Sequence, residues 1–171
     1  STLVTQSGYM DILNFFVSRG LCQHPEVRDK CLYDAVMYNR IDAARLLLTN
    51  GADPNYVGRF YTKMVILPIY RSSLQMLHLL VCHGVDLNAN ADLLWEAASV
   101  QNKAEIMQFI HDMRCPVPGD IVKIYLDEAY RPIELGGTIH SMKTIRETIR
   151  LLLSFGAPKP EHVNPLLFEE E

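Results

Sequence analysis

An all-α solenoid of about five stacked helix-turn-helix repeats, with mostly shortened connecting fingers, is the fold this sequence predicts. Two observations carry that expectation. One phrase recurs along the chain: a short apolar helix, then a stop. It is clearest from Ile41 to Asn55 (IDAARLLLTNGADPN), where leucines fill the last turn and Gly51 stands where a left-handed cap is wanted. Variants run from Tyr9 to Gly20, Leu74 to Asn88 and Thr144 to Pro158, and a worn copy runs from Ala104 to Val117 with Arg114 in place of glycine. The spacing of the stops is the second observation. Gly20 to Gly51 is 31 residues, Gly51 to Gly84 is 33, Gly84 to Arg114 is 30 and Arg114 to Gly156 is 42. A period of about 33 residues with one helix pair per unit is a repeat array, in which each pair buries its apolar face only against neighbours.

The elements follow in order, with repeats expected at about 1–22, 23–55, 56–88, 89–117 and 118–158 in a single domain. The chain opens in the middle of a phrase, with half a helix before Asp11. That predicts a fragment of a longer protein or an array whose cap precedes Ser1. Pro25 begins a helix from about Glu26 to Tyr38, with Leu32, Ala35 and Val36 inward and Asn39-Arg40 as the tight turn into the next helix. Asn55 to Thr62 (NYVGRFYT) is the full-length connection and gathers Tyr56, Arg59, Phe60 and Tyr61 on a loop. The next helix, about Lys63 to Arg71, contains Pro68, which removes a hydrogen bond and predicts a short, kinked or shifted element. From Leu74 the inward face reads Leu74, Leu77, Leu80 and Val81. Asp92 is the expected N-cap of a helix to Val100, with Trp95 and Ala98 inward and Asn102 ending it. Asp120 is the expected N-cap of Ile121 to Tyr130, and Arg131 to Met142, broken by Pro132 and Gly136-Gly137, reads as an inserted loop. The last helix runs from about Lys143 to Ser154, and 159–171 is a tail.

The sequence GADPN after ARLLLTN resembles the second helix and turn of an ankyrin repeat, and GYMDILNFFVSRG and VDLN are similar. The first-helix signature Thr-Pro-Leu-His is absent; Lys30-Cys31-Leu32-Tyr33 and Lys63-Met64-Val65-Ile66 occupy its place. The resemblance implies a non-catalytic module that binds a protein partner on the concave face formed by fingers and first helices. Carried over by position, it implies contacts at Arg59, Phe60 and Thr62 on the finger. It also implies Met37 and Tyr38, Tyr70 and Arg71, and Val100 and Gln101 near the ends of successive first helices. Aromatic and arginine side chains would be the anchors, although Tyr38 and Tyr70 have a second reading as packing between repeats. The 131–140 loop is a separate candidate surface. Degenerate arrays of this kind are similar to those of secreted bacterial effectors and viral host-interaction proteins. The alternative this implies is a substrate-recruiting or regulatory domain of a larger enzyme, working in the host cytosol.

Other function classes find less support. A net charge of -4 gives no electrostatic reason to expect nucleic acid or an anionic membrane as partner. No apolar run approaches the roughly 18 residues of a membrane span, and no signal peptide is visible. Cys22, Cys31, Cys82 and Cys115 form no CxxC pair, which favours a reducing, cytoplasmic compartment. His78 with Cys82 and His111 with Cys115 share an i,i+4 spacing that suggests a four-ligand zinc site. The register of the helix ends sets Cys82 opposite Asp112 instead and places Cys115 at the small buried position after the cap, so no metal is expected. Cys22, His24 and Cys31 across a loop, and the carboxylates Asp127, Glu128 and Glu134, lack the geometry of a catalytic set. No cofactor and no catalysis are expected.

Overall fold

In a computed structural model the described residues are 10–15, 17–20, 23–58, 61–131 and 140–161. Arg59, Phe60, Cys22, residues 132–139 of the expected inserted loop and most of the tail lie outside them. The chain divides into two compact units, Ser1–Val85 and Asp86–Glu171. Both are all-α. Among the described residues the only β-type pairing is an isolated antiparallel bridge between Val57 and Lys63.

In the first unit, residues 10–15 and 17–18 are helical and end at Gly20. Helix α1 (Pro25–Met37) starts at its proline, whose missing N–H falls on a position with no partner to lose. It packs on α2 (Ile41–Thr49) through Leu32, Ala35 and Val36 from one side and Ala43, Ala44, Leu47 and Leu48 from the other. Pro68 has the effect its backbone dictates. The chain makes a 3-10 turn at Met64–Ile66, and the helix proper, α3 (Leu67–Tyr70), is a single turn with the proline in its first positions. Helix α4 (Leu74–Cys82) is capped by Ser73, whose hydroxyl accepts from the Met76 N–H. First helices stack on first and second on second: α1 meets α3, and α2 meets α4.

The buried face of α4 differs from the expectation. Met76, Leu77, Leu79 and Leu80 are buried, whereas Leu74 and Val81 are only half-covered. Leucine and valine occur all round this helix, so apolar spacing alone fixes its rotation poorly. The helix it stacks on decides.

The second unit opens with a 3-10 turn, Asn88–Asn90, followed by α5 (Ala91–Val100), α6 (Ala104–Asp112), α7 (Ile121–Ala129) and α8 (Met142–Ser154). Here α5 packs on both α6 and α7, and α7 on α8. Trp95, Tyr125, Leu94, Met107 and Ile110 are fully buried at its centre. Two caps differ from the sequence reading. Asp92 lies inside the first turn of α5, whose N-cap position is held by Asn90 without a side-chain bond; Asp86 Oδ1 accepts from the N–H groups of Asn88 and Ala89 in the 3-10 turn that precedes the helix. Asp120 holds the N-cap position of α7, but its side chain makes no capping bond. By contrast Ser141 caps α8, accepting from the Thr144 N–H.

Candidate protein-binding surface

The ends of the first helices position six of the candidate contact residues, Met37, Tyr38, Tyr70, Arg71, Val100 and Gln101. After each second helix one residue adopts a left-handed backbone: Gly51 (φ 83°), Gly84 (φ 98°), Arg114 (φ 58°) and Gly156 (φ 91°). The following amide then bonds back to a carbonyl one turn inside the helix, as in Ala52 to Leu47, Val85 to Leu80, Cys115 to Ile110 and Ala157 to Leu152. This paired closure satisfies carbonyls that a helix end leaves open. Ala52, Val85, Cys115 and Ala157 are all buried, so Cys115 occupies the small inward position its register implies.

The first helices stop in the same manner without glycine. Asn39 (φ 53°), Ser72 (φ 53°) and Asn102 (φ 51°) are left-handed, and Arg40, Ser73 and Lys103 bond back to Ala35, Pro68 and Ala98. These stops are 33 and 30 residues apart, matching the intervals between Gly51, Gly84 and Arg114. Glycine is absent here, and the left-handed conformation costs a non-glycine residue about 1 kcal/mol. Asparagine tolerates it best among ordinary residues.

Each predicted contact pair sits immediately before one of these stops. Tyr38, at 61% exposure, and Tyr70, at 55%, stand out into solvent. That exposure excludes the reading in which they are packed between repeats. Arg71 is exposed beside Tyr70, and the Arg40 guanidinium lies 5.8 Å from the centre of the Tyr38 ring, within cation–π range. Met37 is half-buried. In the second unit Val100 and Gln101 hold the same position relative to Asn102 and are half-buried. Of the predicted finger residues, Thr62 is half-buried, while Arg59 and Phe60 lie outside the described residues.

The finger is built on Tyr33. Its buried ring meets Tyr56 edge-on at 6.3 Å, and a Cβ on Gly58 would run into it. Gly58 N–H donates to the Thr62 carbonyl at 3.0 Å, closing the loop. Tyr56 is therefore committed to packing. Tyr61, within the segment that bond closes, is 92% exposed and left-handed (φ 58°). The set drawn from family contact positions misses Tyr61. An aromatic residue inside a loop already rich in aromatics was the available signal, but its backbone conformation is invisible in sequence.

Elsewhere the chemistry is structural. The Cys115 thiol donates weakly to the Leu87 carbonyl, and burial pushes its pKa above the ordinary value. The Trp95 indole pulls part of the way back, and Asp86 and Asp92 push up. Burial likewise raises Tyr125, partly countered by its hydrogen bond with Thr148. The His111 ring rests on Phe155, with centroids 4.6 Å apart. Among the described residues no three His, Cys, Asp or Glu side chains gather as a metal ion requires. No helix among them is long and apolar enough to cross a membrane.

Residues 31–59, which hold most of α1, all of α2 and the start of the finger, match the family model described as ankyrin repeat. No curated protein matches the chain as a relative. The ankyrin repeat is a protein–protein interaction module and generally does no chemistry. One ankyrin repeat is thus matched at residues 31–59, and the paired helix stops that bound it recur along both halves of this all-α repeat chain.

Proposed function

We propose that this chain is a non-catalytic protein-binding module, and that its first unit engages a partner protein through the ends of α1 and α3 and the finger that joins their repeats. The observation that supports this reading is the exposure of Tyr38 and Tyr70, at 61% and 55%, just before successive left-handed stops, with Arg40 and Arg71 beside them. Tyrosine and arginine dominate binding energy because each combines a large contact area with polar groups whose desolvation is compensated on binding. Folding alone does not require two large rings in solvent at repeat-equivalent positions. Tyr61 extends the surface onto the finger, and Val100 and Gln101 are the corresponding positions of the second unit.

The test is site-specific photo-crosslinking in cell extract, with the reactive group at position 38 or 70 and, as control, at Gln108 on α6. The reading expects one protein captured from 38 and 70 but not from 108, with capture abolished by Arg71→Ala in a chain whose circular dichroism is unchanged. Equal capture from all three positions, or none from 38 and 70, refutes it. Truncating an anchoring tyrosine is expected to weaken the complex by about 2 kcal/mol.

A further inference from the structure

Three described cysteines lie in three different environments, and one of them faces a base. On α4 the buried residues are Met76, Leu77, Leu79 and Leu80, which leaves His78 and Cys82 on the outward side, one helical turn apart. Both side chains are exposed. The Cys82 sulfur is 3.5 Å from His78 Nδ1 and 3.9 Å from Nε2, so the thiol can donate to either ring nitrogen that lacks a proton. Cys115 is the contrast: 3% exposed, bonded to the Leu87 carbonyl and held as a thiol by burial. Cys31 is half-buried.

We infer that Cys82 and His78 form a thiol-exchange site on the outer face of α4, which takes low-molecular-weight disulfides and becomes a mixed disulfide. The thiolate is the nucleophile in such exchange, and a neighbouring base generates it. Cys82 is the last residue of its helix, and that end disfavours an anion. The local backbone therefore gives no help, and the proton acceptor decides the reactivity. In the reaction His78 takes the Cys82 proton as the sulfur attacks one sulfur of the incoming disulfide. A new S–S bond forms, the old one breaks, and the departing thiolate recovers the proton from the imidazolium. The incoming disulfide is the oxidant, so electrons balance without another reagent. The outward position leaves room for the adduct, and the site stands apart in sequence and function from the helix ends proposed to bind protein.

The experiment exposes the intact chain to glutathione disulfide near neutral pH and follows each cysteine by peptide mass spectrometry. Cys82 is expected to be modified about tenfold faster than Cys31, with Cys115 unmodified until the protein unfolds. His78→Ala is expected to slow Cys82 about tenfold, leave the Cys31 rate unchanged and regain the lost rate when free imidazole is added. The unchanged Cys31 rate reports an intact fold. The inference falls if Cys82 reacts no faster than Cys31 or if His78→Ala leaves its rate alone. It also falls if imidazole restores nothing, since His78 would then act through packing and not as a base.

Discussion

Asn102 Oδ1 accepts a hydrogen bond from Thr148 Oγ1 at 2.7 Å, across 46 residues of chain. The same oxygen accepts from the Tyr125 hydroxyl at 3.2 Å, and the amide nitrogen lies 3.0 Å from His140 Nδ1. One side chain thus joins the stop after α5 to α7, to α8 and to the segment before α8. Thr148 and Tyr125 are buried, so their hydroxyls are poorly placed to replace that acceptor with water.

Asn102→Gly isolates that network. Glycine accepts the left-handed backbone freely, so the substitution deletes the amide without adding strain. It is expected to cost the second unit about 2 to 3 kcal/mol, the penalty for stranding buried hydroxyls. Asn39→Gly, at the equivalent stop of the first unit, should stay within about 0.5 kcal/mol of the parent. Urea denaturation followed by Trp95 fluorescence for the first variant, and by circular dichroism for both, measures the gap. Equal effects would mean the network adds nothing to the backbone requirement.

The stops after the second helices predict opposite signs at two positions. Gly84 has open space where a Cβ would stand, so Gly84→Ala meets no clash and reports backbone strain alone, about 1 kcal/mol of destabilisation. Arg114 already carries that strain at φ 58°. Arg114→Gly should therefore stabilise, by less than about 1 kcal/mol because glycine also loosens the unfolded chain. Paired denaturation midpoints check both signs.

Alkaline pH should weaken the second unit in two steps. Cys115 and Tyr125 have pKa values raised by burial above the ordinary 9.0 and 10.0. Both hold their proton more tightly in the folded state, so the unfolded chain binds fewer protons and stability falls as pH rises. Their contribution is whole below pH 9.0; it erodes first through Cys115, then above 10.0 through Tyr125. Cys115→Ala should remove the earlier part of the slope and Tyr125→Phe the later part, as read from urea midpoints between about pH 8 and 11.

Gly58→Ala should disturb the finger while sparing the helices. The added methyl meets the Tyr33 ring, which is buried against the α1 repeat and has no room to withdraw. The loop gives way instead, and the hydrogen bond from Gly58 N–H to Thr62 opens. Hydrogen exchange should show protection lost at residue 58 and retained along α1 and α2. Protection unchanged at 58 would mean the ring moves aside.

The helix stops were legible because their causes are local. A leucine-rich turn before Gly51, Gly84 or Gly156, and a proline at Pro25 or Pro68, constrain only the few residues around them. The recurrence of those stops near 33 residues was enough to give the all-α repeat class, and counting from them put Cys115 at its buried position although Arg114 stands where glycine is usual. Tyr38 and Tyr70 come instead from the family resemblance, whose contact positions fall just before the stops of the first helices.

What lay beyond reach depended on residues far away in the chain. The rotation of α4 onto Met76 and Leu79 was set by the helix it stacks on, since its own apolar residues cover most of its surface. Tyr56 and Tyr61 look alike in a loop sequence, yet one packs on Tyr33, twenty-odd residues earlier, and the other stands in solvent on a left-handed backbone. Asn102 reads as a helix terminator and serves also as acceptor for Tyr125 and Thr148. By itself the sequence determined where helices end and how often, because backbone preference is a short-range property. Which side chain is buried, exposed or bonded was decided only in the tertiary structure, because that depends on which surface another repeat brings against it.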